Sequence, residues 1–271
     1  MLKLIFHPTD FSSEGHLAFL HALALARAAR AGLDLLHVHS PHDNDRWDKF
    51  PHVREVLERW GVLAPGAATA DIEAQSGIRV HKVELREASP VEALSRFLIS
   101  HRPDLVVMAS HGREGINRLL SGSISSEVAQ ETRAPTLLFG PAAKPFIDLE
   151  SGAITLETVL VPVAHDPDPA CALPMLSAVT AGLNVAFDFV HAGEKAPELN
   201  DATGAPIAVR CIEGSVVEGI VAAASGAQLI AMPTAGQQGF LDALRGSTTE
   251  QVVRHAPCPV LALPDLASRH L

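Results

Sequence analysis

The chain repeats its own sequence, and this repeat constrains the fold more than any other feature. At an offset of 124 residues, the stretch from Leu105 to Leu137 matches a later stretch without a gap. Near the start of each copy the offset is 154 residues, so the first copy carries 30 additional residues in its middle. Glycines at equal spacing imply equal backbone turns, so the two halves share one plan. The matching pairs include Leu105 with Leu229, Met108 with Met232, Gly112 with Gly236, Gly115 with Gly239, Gly122 with Gly246, Ser123 with Ser247 and Pro135 with Pro259.

Each copy alternates short apolar strands with helical segments. In the first copy the pattern predicts strands at 4–7, 33–39, 78–85, 105–110 and 135–139, and helices at 13–31 and 123–131. In the second it predicts strands at 159–163, 185–191, 207–212, 229–232 and 260–263. Ser89 and Ser215 each precede a Glu by three positions, which is typical of a helix N-terminus. The additional residues of the first copy include a predicted helix at 53–60, which the second copy replaces with a loop around 193–206.

Strands that alternate with helices predict an α/β fold whose parallel sheet is covered on both faces. A length of 271 residues agrees with two domains of ordinary size. We therefore expect two repeated domains, residues 1–145 and 154–271, each with a five-stranded parallel sheet and helices on both faces.

Composition excludes several classes of protein. The net charge of −10 argues against partners such as nucleic acid or an anionic membrane. The longest apolar runs are strand-sized, far below the roughly 20 residues of a membrane-spanning helix. Three widely spaced cysteines without a C-x-x-C pair do not predict a disulfide framework or a zinc ribbon. The acidic Asp10 comes before any signal-peptide core, and we expect a cytoplasmic protein.

Candidate ligand-binding residues follow the first and fourth strands of the first copy. In an open parallel sheet, ligands bind beyond the carboxyl ends of the strands, where the strand order reverses. The segment 8–12 follows strand one, and the segment 109–115 follows strand four before Gly122 and Ser123 open a helix. A glycine-lined turn before a helix N-terminus suits a phosphate group. Neither standard nucleotide fingerprint, G-x-x-x-x-G-K-[ST] or G-x-G-x-x-G, occurs in the chain.

The loop after strand four resembles that of the universal stress proteins, in their tandem two-domain form. The family's nucleotide loop reads G-x-x-G, nine residues, then G-[ST]. Here Ala109 to Gly112, nine residues, and then Gly122-Ser123 match in all but the first glycine. The segments Pro8-Thr9-Asp10 and Leu36-His37-Val38 are also similar to the family. The resemblance covers essentially the whole chain and implies a Rossmann-like fold of the adenine-nucleotide alpha-hydrolase type.

The resemblance also implies ligands and partners. Some members bind ATP or another adenine nucleotide, so ATP, with Mg²⁺ on its phosphates, is the expected ligand of the first copy. The two copies would associate as an internal pseudo-dimer, and two chains would pair as a homodimer. By position, Asp10 would lie near the ribose or the metal, Val38 would face the adenine, and Met108 and Ala109 would line the nucleoside. The full set of implied binding residues is Pro8, Thr9, Asp10, Val38, Met108, Ala109, His111, Gly112, Arg113, Gly122, Ser123, Ile124 and Ser125.

The second copy departs further from the family pattern. Gly236, Gly246 and Ser247 remain, but the second half holds few basic residues. An acidic, arginine-poor pocket is a worse site for a triphosphate, so we expect this copy not to bind ATP. The replacements are Ala164 for Asp10, Pro233 for Ala109, Ala235 for His111, Gln237 for Arg113 and Asp242 for Arg118.

Several of these residues also have a simpler structural interpretation. Asp10 could cap the following helix instead of binding a ligand. In the second copy, Ser247-Thr248-Thr249-Glu250 fits a capping box better than a phosphate site. His37 and His39 share one strand face, with His42 nearby, and ordinary strand histidines are favoured over a metal site because no carboxylate or cysteine partner is evident.

Three classes of function compete at this stage. The first is a nucleotide-binding stress-response protein, which we prefer, with no catalytic residue assigned. The second is a slow ATP hydrolase in which Asp10, His111 and Ser123 or Ser125 converge, although no G-x-S-x-G elbow is present. The third is a dimeric scaffold without a nucleotide, which would be favoured if the methyl group of Ala109 blocks the site.

Overall fold

A computed structural model describes residues 2–42, 44, 46–110, 134–234 and 248–264. The predicted helix at 123–131 lies outside these residues. The first copy contributes β1 (Leu4–Pro8), α1 (Ser13–Ala29), β2 (Gly32–His39), α2 (Val53–Arg59), α3 (Asp71–Ser76), β3 (Val80–Arg86), α4 (Pro90–His101), β4 (Leu105–Ala109) and β5 (Thr136–Phe139). The second contributes β6 (Thr158–Pro162), α5 (Leu173–Val179), β7 (Ala186–Ala192), β8 (Val209–Ile212), α6 (Val216–Ala223), β9 (Leu229–Thr234), α7 (Thr248–His255) and β10 (Val260–Pro264).

All of these strands belong to one sheet, in the order β3-β2-β1-β4-β5-β10-β9-β6-β7-β8. Neighbouring strands within each copy are parallel. The strands β5 and β10 pair antiparallel and join the two halves. Each half is therefore the predicted five-stranded parallel sheet, and the α/β fold class is confirmed.

Helices cover both faces of the sheet. The first face packs against α1, α2 and α5, and its buried cluster includes Phe19, Leu57 and Leu176. The second face packs against α4, α6 and α7, and its cluster includes Phe97 and Ile220. Right-handed crossovers place these helices on opposite faces, because the chain runs outward from β1 to β2 but inward from β3 to β4.

The helix start signals are confirmed in both copies. The side-chain oxygen of Ser89 accepts a hydrogen bond from the backbone N–H of Glu92, and Ser215 accepts one from Glu218. The end of α1 differs by two residues from the prediction. Arg30 adopts a left-handed φ of 53°, and its N–H bonds to carbonyls of the last turn, so the helix stops at Ala29.

The additional residues of the first copy pack on the first face. As predicted, they form a helix, α2, which buries Val53, Val56 and Leu57. The short helix α3 was not predicted, because six residues are too few to show a helical period. After α2, the indole Nε1 of Trp60 donates a hydrogen bond of 3.0 Å to the carbonyl of Leu149, in the segment that connects the copies.

Candidate functional site

Strand pairing brings the ends of β1, β2 and β4 to one edge of the sheet. β1 lies between the other two strands: Pro8 is opposite Leu36 of β2, and Phe6 is opposite Val106 of β4. The chain leaves β1 toward β2 and leaves β4 toward β5, in opposite directions along the sheet. This reversal makes the junction of β1 and β4 the topological switch point, where open α/β sheets bind ligands.

The loop after β1 is held to β2 by two backbone groups of Thr9. The N–H of Thr9 donates to the carbonyl of Leu36 at 2.8 Å. The carbonyl of Thr9 accepts from Nδ1 of His37, also at 2.8 Å. A carbonyl can only accept, so the ring proton of His37 resides on Nδ1. Thr9 itself is buried, and these contacts fix the path of the chain into Asp10.

Asp10 shapes the entry to α1 but does not cap it. Its Oδ1 accepts from both the N–H and the hydroxyl of Ser12, at 3.0 and 2.5 Å. The N-cap is Ser12, whose hydroxyl oxygen accepts from the N–H of Gly15. The interpretation of Asp10 as the cap is therefore wrong, because the cap lies two residues later. The intervening Phe11 has a left-handed φ of 61°, which bulky residues seldom adopt, and the turn holds Asp10 half-buried.

The other described site residues lie at the same edge. Val38 and Met108 contribute to the cluster on the second face, with Met108 buried and Val38 partly buried. Ala109 ends β4 and is half-buried, and the next residue, Ser110, donates its N–H to the carbonyl of Phe139 in β5. The remaining predicted site residues lie outside the described residues: His111, Gly112, Arg113, Gly122, Ser123, Ile124 and Ser125.

Buried histidines stabilise this edge of the sheet through hydrogen bonds to backbone carbonyls. Nδ1 of His7 donates to the carbonyl of Val107 at 2.8 Å, which ties β1 to β4. Burial lowers the pKa of His7 to about 4, against the opposing effect of that hydrogen bond. Burial also lowers the pKa of His37, and its bond to Thr9 opposes the shift. Both rings are therefore neutral near pH 7 and serve as structural donors.

No metal centre is found within the part of the chain that the structure describes. There, no group of three His, Cys, Asp or Glu side chains is arranged to hold an ion. Nε2 of His39 lies 3.5 Å from the carboxylate of Glu84 in the neighbouring strand β3. This carboxylate was not predicted as a partner of His39 from the sequence, because the two residues come from different strands. Likewise, no helix among the described residues has the length and apolarity needed to cross a membrane.

The second copy repeats the loop geometry without the acidic group. Nδ1 of His191 donates to the carbonyl of Val163 at 2.8 Å, and the N–H of Val163 donates to Val190. The positions correspond to His37 and Thr9 by the offset of 154 residues. Ala164, the counterpart of Asp10, is exposed and carries no polar side chain. The shared histidine was missed as a loop anchor in the sequence analysis, although the repeat marks it in both copies.

Comparisons with known proteins show matches in both copies. Residues 1–140 and 159–264 match the model of the Universal stress protein family. A universal stress protein of Thermus aquaticus is 30% identical over 138 residues, 51% of this chain and 98% of the relative. Universal stress protein MJ0577 of Methanocaldococcus jannaschii is 24% identical over 155 residues, 51% of this chain and 94% of the relative.

A solved structure extends the likeness to both copies. The universal stress protein from Archaeoglobus fulgidus covers 97% of this chain and 96% of its own, with a TM-score of 0.61 and 21% identity. At that identity the likeness establishes the fold, while the two family matches cover most of the sequence. This chain therefore belongs to the universal stress protein family, with two copies of the family's domain in tandem.

Proposed function

We propose that this chain acts in a stress response by binding one adenine nucleotide, ATP with Mg²⁺, in its first copy. The observation that carries the proposal is the convergence of Asp10, Val38 and Ala109 at the switch point between β1 and β4. The family resemblance assigns contacts with the nucleotide to these same positions. The glycines of the following loop, Gly112 and Gly122, supply the expected phosphate cradle.

Asp10 is arranged to serve as a ligand group. One carboxylate oxygen, Oδ1, is occupied by Ser12, and this orients the carboxylate. Among the described residues, Oδ2 has no hydrogen-bond partner. A carboxylate oriented in this way can accept a hydrogen bond from a ribose hydroxyl. It can also coordinate a magnesium ion, which prefers anionic oxygen ligands.

The proposal assigns no nucleotide to the second copy. Ala164 cannot accept a hydrogen bond through its side chain, and Pro233 stands where the first copy has Ala109. Proline lacks an N–H, so a contact from that backbone nitrogen to a ligand is impossible. In this proposal the second copy is the partner that completes the ten-stranded sheet.

The first test is a calorimetric titration of ATP with Mg²⁺ into the full chain after bound ligand has been stripped. We expect one site per chain. Gly122→Val should abolish the binding, because its side chain would occupy the phosphate position, and the matched variant Gly246→Val should leave it unchanged. Full affinity in both variants would contradict the proposed site.

A second titration separates a role of Asp10 in binding from its role in the turn. Asp10→Asn keeps a side-chain oxygen that accepts from Ser12 but removes the charge. We expect a tenfold or greater loss of ATP affinity without a comparable loss of stability, since charge-assisted hydrogen bonds contribute roughly 1.5–3 kcal/mol.

Absence of any heat with the unaltered chain, together with no thermal stabilisation at millimolar ATP, would favour the scaffold alternative.

A further inference from the structure

A cavity lies beside the loop that follows β1, on the first face of the sheet. Its volume is about 280 Å³, and it opens to solvent between the start of α1 on one side and α2 with the segment that leads into it on the other. Phe11, Phe50 and Val56 form its apolar part, and Lys49 and Arg59, next to the imidazole of His16, form its charged part. Phe50, Lys49, Val56 and Arg59 come from the additional residues that the second copy lacks.

The apolar part of the cavity is built by close ring packing. The Phe11 ring lies over that of His37, with centroids 4.0 Å apart, and meets Phe50 edge to face at 5.6 Å. Phe50 is fully buried, and Val56 is 6% exposed. These side chains are held in place by the core, so the cavity has a rigid apolar wall that suits a flat or compact apolar group.

The charged part of the cavity is cationic. Within the described residues, neither the Lys49 ammonium nor the Arg59 guanidinium forms an ion pair or a side-chain hydrogen bond. The one carboxylate of the lining, that of Glu55 in α2, lies 3.5 Å from the imidazole of His52, the residue directly before this helix. His16 and Arg59 line the same cavity, and the pKa of His16 is lowered by burial and, secondarily, by the positive charge of Arg59.

We propose that this cavity is a second ligand site, which binds a small organic anion consisting of a phosphate monoester or carboxylate group attached to one apolar ring. The anionic group lies between Lys49 and Arg59, beside His16 and the positive end of the α1 dipole. The ring lies against Phe11 and Val56, which the buried Phe50 holds in place. The volume is near the lower end of the usual range for ligand pockets, about 300–1,000 Å³, and therefore selects a small ligand.

This site is separate from the nucleotide site proposed above. Val38 and Met108, which the resemblance assigns to the nucleotide, belong to the cluster on the second face of the sheet. Phe11, Phe50 and Val56 belong to the first face. Thr9 lines the cavity and also belongs to the implied nucleotide-binding residues, so the two sites adjoin at this one short turn.

The test is a titration of the full chain with phenyl phosphate, in which NMR of the ligand and calorimetry measure the binding. Phenol and inorganic phosphate are the two half-ligand controls. We expect phenyl phosphate to bind at least tenfold more tightly than either, because only it fills both parts of the cavity. Phenylacetate tests the carboxylate form of the same chemistry, and its preference over phenyl phosphate would identify the anionic group without changing the site.

Variants assign the binding to the cavity. Arg59→Gln and Lys49→Gln should each lower the affinity for phenyl phosphate at least fivefold. Arg54→Gln is the matched control, because Arg54 lies on the same helix, pairs with Glu58 and does not line the cavity. Gly122→Val should leave the binding intact, which separates this result from the nucleotide proposal. Equal binding of phenol, no binding at millimolar phenyl phosphate, insensitivity to Arg59→Gln, or loss with Gly122→Val would each overturn the inference.

Discussion

Leu137 of β5 lies directly opposite Leu261 of β10, and each is the other's counterpart in the sequence repeat. On either side of them, Thr136 pairs with Ala262 and Leu138 with Val260. The repeat offset of 124 relates Thr136 to Val260 and Leu138 to Ala262, so it exchanges these two pairs. A pseudo-twofold axis therefore passes between the two leucines. The antiparallel seam follows from this symmetry, because a twofold axis perpendicular to the sheet reverses the strand direction of the second copy.

Truncation of either leucine should destabilise the whole sheet. Leu137 and Leu261 are 2% and 0% exposed, so Leu137→Ala and Leu261→Ala should each lower the free energy of unfolding by about 2–5 kcal/mol. The double variant should be non-additive, because the side chains are direct neighbours. Urea unfolding followed by circular dichroism measures the effect. Leu149→Ala, at a site 37% exposed, should cost less than about 1 kcal/mol, and an equal loss there would contradict the assignment of the seam.

His37 and His191 offer a matched pair of variants. Each Nδ1 donates to the carbonyl of the residue directly after the first strand of its copy. This residue is Thr9 for His37 and Val163 for His191. Replacement by Ala should cost roughly 1–3 kcal/mol in each copy, since a buried carbonyl loses its donor. Only His37→Ala should also weaken the binding of ATP, because only the first copy carries an aspartate, Asp10, in this loop. Equal ATP affinity in the two variants would show that the loop path does not govern binding.

Stability should fall in mild acid because of two buried histidines. Burial lowers the pKa of both His7 and His21 to about 4 in the folded chain, from 6.5. Nε2 of His21 accepts from the N–H of Phe146, and a protonated ring has no lone pair there. The folded pKa lies below the unfolded one, so this stability is complete above pH 6.5 and is lost as the pH falls toward 4.

Each ring should contribute a loss of roughly 3 kcal/mol across that interval, by the usual 1.4 kcal/mol per pKa unit. Urea unfolding at pH 7.5, 6, 5 and 4 measures the slope, and NMR titration of the imidazole protons assigns it. Titration of His7 and His21 in the folded chain near 6.5, or a stability that does not change between pH 7 and 4, would contradict the prediction.

The segment between the copies should tolerate no side chain at Gly152. This glycine has a φ of 67°, and a Cβ there would overlap the indole ring of Trp60. Gly152→Ala combines steric overlap with a left-handed backbone and should cost about 3 kcal/mol. Gly182→Ala is the control: its φ is 81° but nothing lies within 4 Å of the added Cβ, so only about 1–2 kcal/mol of backbone strain is expected. Thermal unfolding compares the two, and equal losses would exclude a contribution from Trp60.

Much of the fold was predictable from local sequence signals. The alternation of apolar residues located every strand within one to two residues, and Ser89 and Ser215 marked two helix starts correctly. These signals depend on residues two to four positions apart, and such neighbours share a face in any chain that forms the strand or helix. The position of Asp10 at the candidate site followed from the same information, since strand ends carry the loops of an α/β fold.

The short-range details were less predictable. Asp10 was considered as a helix cap, yet Ser12 caps α1, because both residues have a side chain that can accept at a helix start. The structure decides between them through the left-handed turn at Phe11, which places Ser12 and not Asp10 over the first free N–H groups.

The sequence by itself determined that the chain is a repeat of two α/β units and where each unit carries its loops. Only the tertiary structure decided that β5 pairs with β10, that His37 anchors Thr9 and that Arg59 shares a cavity with His16. The physical reason is distance along the chain. Periodicity and capping act between near neighbours, whereas these contacts join residues 28 to more than 100 positions apart and arise only when the packed helices and strands bring them together.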